Sequence, residues 1–407
     1  MSGAGPTFDE IVQLDAAHVM QTYGRLPVAF VRGEGTRLYG ADGRVYLDFL
    51  GGIAVTALGH AHPEVAAAIA EQAATLLHVS NLYYNEVQPV VAARIDGLLG
   101  GGGRVFFANS GAEANECAIK LARRYGQRHG FPGRFHVVSA MGSFHGRTLA
   151  TLAATGQPGK QETFHPLPEG FHQVAFGDLD ALDSALDERV CAVLLEAVQG
   201  EGGVHPADGD YLRDVRRLCD AREALLIVDE VQCGLGRTGR WFGFEHAGVR
   251  PDIVTLAKAL GNGMPIGACW ARAEVAAAFE PGDHATTFGG QPLAARAALA
   301  TLEVLAREDA PARAERAGAR LTAALLALAE VRGVRGLGLL LAVELAGPAG
   351  GAQEVAAACL AAGLVLNAVS PTALRLTPSL LVDDGEIDEA VAILATVLAS
   401  RRAGVAS

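Results

Sequence analysis

The stretch ALLIVDEVQCG is an uninterrupted apolar run that ends in Asp229 and Glu230. In parallel α/β sheets ligands gather beyond the carboxyl ends of strands. An acid there is desolvated, yet a cationic partner such as a protonated ring nitrogen keeps it ionised. The plain alternative is an aspartate that caps the next turn. Lys258 ends the following apolar run, DIVTLAKALGNG, with glycines behind it. Apolar surroundings lower the pKa of a lysine, which is the state a Schiff-base nucleophile requires. A single lysine leaving a strand is more often a snorkelling surface residue. Paired with Asp229, it puts an amine and an acid on one rim of a sheet.

NSGAEANE, residues 109–116, lies between the run RVFFA and a helical pattern. Ser110, Gly111 and Ala112 then form a strand-to-helix turn whose free backbone N–H groups make a phosphate cradle, or, more plainly, an N-cap serine with a glutamate behind it. Arg147 in SFHGRT, Glu201 in EAVQGEGG and Arg375 in ALRLTPSL each follow a strand or sit in a Gly-rich turn, where a guanidinium can be aimed at a carboxylate. Singly, each also reads as a solvated surface charge. GLGRTG, residues 234–239, has the spacing of a dinucleotide fingerprint. It fits poorly, because RWFGFEHAGVRPD after it offers no crossover helix and Asp229-Glu230 would set like charges beside a pyrophosphate. His60, His62 and His145 have no ligand spacing, so no metal site is expected.

These residues need a sheet to hold them. From about Gly101, strand-like runs (RVFFA, FHVVSA, HQVAF, CAVLLEA, ALLIVDE, DIVTLAK, IGACWA) alternate with helical patterns at 113–128, 179–186 and 211–221. Runs that are apolar throughout and separated by helices predict an α/β fold, with a mainly parallel sheet covered on both faces, spanning about 60–295. Short strands around 28–32, 37–39 and 45–49 precede it. Helices at 291–307 and 311–329, the strands GLLLAVEL and LVLNAV, and a helix at 387–398 follow it. Segments 1–59 and 296–407 together are expected to build a smaller α+β domain around the large one at 60–295.

At 407 residues the chain has room for two to three domains, and half of its residues are apolar against 19% charged, which excludes a disordered chain. The net charge is -12 with scattered basic residues, so nucleic acid is not an expected partner. Apolar runs such as Leu321 to Ala329 fall short of the ~18–20 residues that span a bilayer, so no membrane association is expected. The opening MSGAGPTFDE lacks a basic segment followed by an apolar core, which makes the cytoplasm the expected location. Six cysteines, none closer than 14 positions to the next, argue against zinc knuckles and a disulfide framework and read as small buried hydrophobes.

FFANSGAEANE, GSFHGRT, VQGEGG, IVDEVQCGLGRTG, TLAKALGNGMPIG, HATTFGGQPLA and RLTPSL stand in the order found in the class III aminotransferases, which use pyridoxal phosphate. The resemblance runs from about Met20 to Leu398. It implies the fold-type I architecture of that cofactor's transferases and a homodimer with active sites at the subunit interface. By resemblance, Lys258 forms the Schiff base and carries protons, and Asp229 keeps the pyridine nitrogen protonated. Gln232 contacts the ring hydroxyl, and Phe144 and Val231 sandwich the ring. Ser110, Gly111 and Ala112 bind the phosphate, with Thr287 reaching in from the partner subunit. Arg147 takes a remote substrate carboxylate, Arg375 takes a second carboxylate, and Glu201 neutralises Arg375 when there is none.

MQTYGRLPVAF, LGGIAVTALGHAHP, SNLYYNE and LNAVSPTALRLTPSL resemble family members that act on N-acetylornithine and 2-oxoglutarate by a ping-pong route in arginine biosynthesis. Ornithine, succinylornithine, 4-aminobutyrate and carrier-linked lysine remain as alternative donors, with residues near Tyr23, Leu82 and Tyr83 expected to decide among them. An aminomutase is the nearest alternative of another class; it needs no second-substrate site, which the Glu201 and Arg375 pair argues against. Ala197, Asn262, Ala285 and Gln291 stand where the family usually has proline, glycine, glycine and asparagine.

Overall fold

The computed structural model describes residues 6–346 and 351–405. The part of the leader-peptide reading that rests on residues 1–5, and the outer ends of the two terminal segments, lie outside the described residues.

A seven-stranded sheet forms the centre of the molecule. Its strands are β1 (Gly103–Ala108), β2 (His136–Ala140), β3 (Phe171–Val174), β4 (Val190–Glu196), β5 (Leu225–Asp229), β6 (Ile253–Leu256) and β7 (Gly267–Arg272), in the spatial order β1-β7-β6-β5-β4-β2-β3. β3, β2, β4, β5 and β6 are mutually parallel. Every residue of β4, β5 and β6 is buried, as helices on both faces of a sheet require. β7 runs antiparallel to both of its neighbours. IGACWA is thus the antiparallel member of a mainly parallel sheet. Residues 257–266 before it hold only the short turn Lys258–Gly261, too little chain for a crossover helix, so the strand returns antiparallel.

The helix Gly111–His129 opens on Ser110, whose side chain accepts the Glu113 N–H at 3.2 Å, while the Glu113 carboxylate accepts the Asn109 N–H at 2.7 Å. Its buried face, with Ala114, Ala118, Leu121 and Ala122, follows the 3.6-residue period and packs on β7, β6 and β4. The helix Gly209–Ala221 is capped by Asp208 and buries Tyr211, Leu212, Val215 and Cys219 on one face.

The chain ends meet in shared sheets. Val45–Asp48 pairs in parallel with Leu364–Val365, Leu47 facing Leu364. Val331–Leu337, Leu340–Leu345, Ala373–Leu376 and Asn367–Ala368 form a second sheet, antiparallel throughout. LVLNAV, expected as one strand, is divided between the two sheets. VRGVRGL escaped sequence reading because its apolar residues recur every third position, and a bulge between Val331 and Gly333 absorbs the mismatch with a two-residue period. One apolar cluster runs from Leu47 and Phe49 through Val228 to Leu394, joining the central sheet to the terminal segments. All six cysteines are free and buried. Among the described residues no helix is long and apolar enough to cross a membrane, and no group of three or more His, Cys, Asp or Glu is arranged to hold a metal ion.

Candidate active site

Because β4, β5 and β6 are neighbours, their carboxyl ends bring Glu196, Asp229 and Lys258 to one rim, where they line a cavity of about 380 Å³. The turn Ser110–Ala112, Phe144, Arg147, Glu201, Val231 and Gln232 line it as well.

Asp229 is buried and held by three donors: Asn115 Nδ2 at 2.7 Å, the Val231 N–H at 3.0 Å and His145 Nδ1 at 2.8 Å. A carboxylate only accepts, so the imidazole hydrogen sits on Nδ1. The other ring nitrogen, Nε2, is buried without a hydrogen-bond partner. Asn115 is itself fixed, donating to the His145 carbonyl at 2.8 Å and accepting from Thr255 Oγ1 at 2.8 Å. Asp229 is thus aimed by a network reaching three elements.

Lys258 follows β6 with φ +43, the left-handed region that costs a side-chain-bearing residue strain. That turn directs the side chain into the cavity. Burial lowers its pKa, with Arg375 adding to the effect, while Glu201, Asp229 and Glu196 oppose it. The net direction is downward, which makes the amine easier to deprotonate and so eases its use as a nucleophile. Asn262, four residues on and also left-handed at φ +47, takes the Leu58 N–H at 2.8 Å and donates to the Gly59 carbonyl at 3.1 Å. Its side chain therefore ties down a turn where the family usually has glycine.

A Cβ on Gly111 would meet Val231 Cγ1 at 2.7 Å, so Val231 packs directly on the helix-opening turn, and one on Gly146 would meet Ala112 Cβ at 2.7 Å. The first-turn N–H groups at 111 and 112 have no intrahelical acceptors and carry the positive end of the helix dipole. A phosphate fits there, and a planar cationic ring fits between Phe144 and Val231 with Asp229 as counter-charge.

Arg375, fully buried on Ala373–Leu376, pairs with Glu201 and donates to Asn367 Oδ1 at 3.2 Å and Gln232 Oε1 at 3.3 Å. Burial pushes the Glu201 carboxyl up, but the adjacent guanidinium more than offsets this and leaves it below its ordinary value. The Gln232 amide also donates to Glu201 at 3.2 Å, so both of its ends engage this pair. A Cβ on Gly200 would lie 1.7 Å from Gln232 Oε1, so any side chain there would displace the Gln232 amide from this pair. Arg147 is exposed, with its guanidinium 5.8 Å from the Phe144 ring centre, and no carboxylate of the described residues pairs with it.

Thr287 stands apart. It is exposed and lines a second groove with His78, Leu82, Phe106, Phe107 and Thr286. Tyr23, Leu82 and Tyr83 are exposed by 73%, 84% and 67%, and none lines the cavity of its own chain. Sequence reading missed Asn115, His145, Thr255 and Glu196. The strand-end rule that found Asp229 also covers Glu196, whereas the other three acquire meaning only through their contacts.

The aminotransferase class-III family pattern matches residues 19–398. The chain is 50% identical over 387 residues to the acetylornithine aminotransferase of Gloeobacter violaceus, covering 94% of this chain and 96% of that protein. It is 48% identical over 381 residues to that of Methanocaldococcus jannaschii, covering 93% and 95%. Among solved structures, an ornithine aminotransferase of Toxoplasma gondii, whose active site is described with partial PLP occupancy, superposes with TM-score 0.94 at 33% identity over 98% of this chain and 96% of that one. The N-acetylornithine aminotransferase of Stenotrophomonas maltophilia superposes with TM-score 0.83 at 36% identity over 97% and 100%.

Proposed function

From the premise that the chain belongs to the class III aminotransferases, whose cofactor is pyridoxal phosphate, we propose that it moves the δ-amino group of N-acetylornithine to 2-oxoglutarate. The products are N-acetylglutamate semialdehyde and glutamate. The observation that carries a one-carboxylate donor with a two-carboxylate partner is the Arg375–Glu201 pair together with the unpaired Arg147, and the likeness to acetylornithine aminotransferases supports N-acetylornithine as that donor. One arginine is permanently available to a carboxylate, and the other only when Glu201 moves away. A donor with one carboxylate and a partner with two need that arrangement.

When bound, the cofactor supplies an aldehyde that takes up the amino group and a protonated ring that accepts electrons from the bond being broken. Lys258 attaches the cofactor and, as a neutral amine at Nζ, takes and returns the substrate proton. Asp229 holds the ring nitrogen protonated, with Asn115 and His145 fixing its angle. Ser110, Gly111 and Ala112 hold the phosphate. Phe144 and Val231, which line the cavity, would hold the ring, and Gln232 would hydrogen-bond its hydroxyl. Arg147 binds the remote carboxylate in both half-reactions, and Arg375 the second carboxylate of glutamate.

The active unit in this reading is a homodimer, to which each subunit lends Thr287 and the donor-selecting Leu82 and Tyr83. The exposure of Leu82, Tyr83, Tyr84 and Phe288, with Leu82 in the same groove as Thr287, supports it. We assign segments 1–59 and 296–407 to the smaller domain, 60–295 to the larger, and the cytoplasm as the location, which suits six free cysteines.

The test is rapid mixing of the cofactor-loaded protein with N-acetylornithine, ornithine and 4-aminobutyrate separately, following the visible band of lysine-linked cofactor. Fastest bleaching by N-acetylornithine supports the reading. Faster bleaching by another donor overturns the substrate but not the reaction class.

A further inference from the structure

Glu196 and Asp229 are the last residues of β4 and β5 and stand directly opposite each other in the parallel register. Both are buried, and both line the cavity. In-register residues on adjacent strands lie about 5 Å apart with side chains on the same face. Two carboxylates so placed, away from water, do not both ionise.

Their surroundings decide which one keeps its charge. Asp229 accepts three hydrogen bonds, from Asn115, His145 and the Val231 N–H. Glu196 accepts one, from the Phe144 N–H at 3.1 Å. The other titratable groups facing it are Lys258 after β6 and Glu201 in the turn after β4. Glu201 is already paired with Arg375. An ionised Glu196 would favour the ammonium form of Lys258, against the need for a neutral amine there.

We propose that the Asp229–Glu196 pair holds a single proton, seated on Glu196, and that the neutral Glu196 carboxyl is a positioning residue. One of its oxygens fixes the backbone of Phe144, and its O–H is a donor toward the cavity. Burial first, then Asp229, pushes the Glu196 carboxyl well above the ordinary carboxylate range, in agreement. The pair then presents one negative charge to a cationic ring, and Lys258 is spared a second anion. That consequence for catalysis rests on the transaminase reading; the location of the proton does not.

The experiment is infrared spectroscopy near pH 7 on the pyridoxal-phosphate-loaded protein, in H2O and D2O, read as differences between wild type and variants. The expected result is two protonated-carboxyl stretches that shift in D2O, one lost in Glu196→Gln and the other, from Glu230, the other buried acid at this strand end, lost in Glu230→Gln. Loss of all protonated-carboxyl absorption in Glu230→Gln, or no difference between wild type and Glu196→Gln, overturns the proposal. If Glu196→Gln does not fold, Glu196→Ala takes its place, and a spectrum of that variant that keeps both bands overturns the proposal. In kinetics, Glu196→Ala is expected to lower kcat roughly 10- to 100-fold, and Glu196→Gln, which keeps the neutral shape, to recover most of that loss. A loss in Glu196→Gln as large as in Glu196→Ala means that a carboxylate is required and overturns the assignment.

Discussion

Arg375 and Glu201 are 174 positions apart in the chain, yet they form an ion pair in which the arginine side chain is almost wholly enclosed. The glutamate arrives on the Gly-rich turn after β4 and the arginine on a strand of the terminal sheet. Removing the Glu201 charge leaves the Arg375 guanidinium buried without a counter-charge, which costs about 3–5 kcal/mol. In Glu201→Ala, a donor with one carboxylate must bind beside an uncompensated guanidinium, whereas glutamate brings its own counter-charge. The N-acetylornithine half-reaction is therefore expected to slow at least about tenfold more than the glutamate half-reaction. Single-turnover kinetics of each half check this, and equal losses contradict the gating role.

Lys258→Ala removes the amine that attaches the cofactor and carries the proton. Turnover is expected to fall by about 10⁴-fold or more. The variant should still take up pyridoxal phosphate through the turn 110–112 and Asp229, now without a covalent link. Reduction with borohydride followed by peptide mass analysis checks the linkage; labelling of another lysine contradicts the assignment.

His145 donates to Asp229 from full burial. A hydrogen bond to a charged group contributes about 1.5–3 kcal/mol, so His145→Ala is expected to reduce kcat roughly 10- to 100-fold. The KM for N-acetylornithine should barely change, because Arg147 is untouched. A rise in KM with kcat preserved contradicts this.

Glu230 accepts the Gly243 and Phe244 N–H groups at 2.9 and 3.0 Å, and burial pushes its carboxyl up to about 8. A group whose folded pKa lies above its unfolded value stabilises below the unfolded pKa, and that stability is lost as pH rises through the folded one. The loss should therefore run from about pH 4.5 to about 8 and then level off. Glu230→Gln cannot ionise, so its Tm should decline less than that of wild type across this window. Parallel Tm curves for the two proteins would refute it.

Tyr84 is fully exposed and Leu82 nearly so, on the face that also carries Thr287. Leu82→Asp with Tyr84→Asp should shift sedimentation from dimer to monomer and weaken pyridoxal phosphate binding. An unchanged dimer would place the subunit interface elsewhere.

Asp229, Lys258 and Ser110 were legible in the sequence because each depends on local pattern. A strand buried on both faces must be apolar throughout, so its end shows where polar residues return. An N-cap serine followed three positions later by glutamate marks a helix start without reference to the rest of the chain. The antiparallel course of IGACWA was equally local, since it follows from the shortness of residues 257–266, but its apolar composition concealed it.

The remaining features were decided by packing between distant segments. His145 stands in GSFHGRT with no ligand spacing to mark it, and gains its role by lying 2.8 Å from Asp229, 84 positions later. Asn115 and Thr255 join the same network from a helix and a strand. Parallel register set Glu196 against Asp229, and a strand from the terminal sheet delivered Arg375 to Glu201. Apolar periodicity dictates which face of an element is buried, but it does not say which element lies against that face. Only the assembled sheets determine which buried charges become neighbours, and hence which of them must pair, lose a proton or stay free for a substrate.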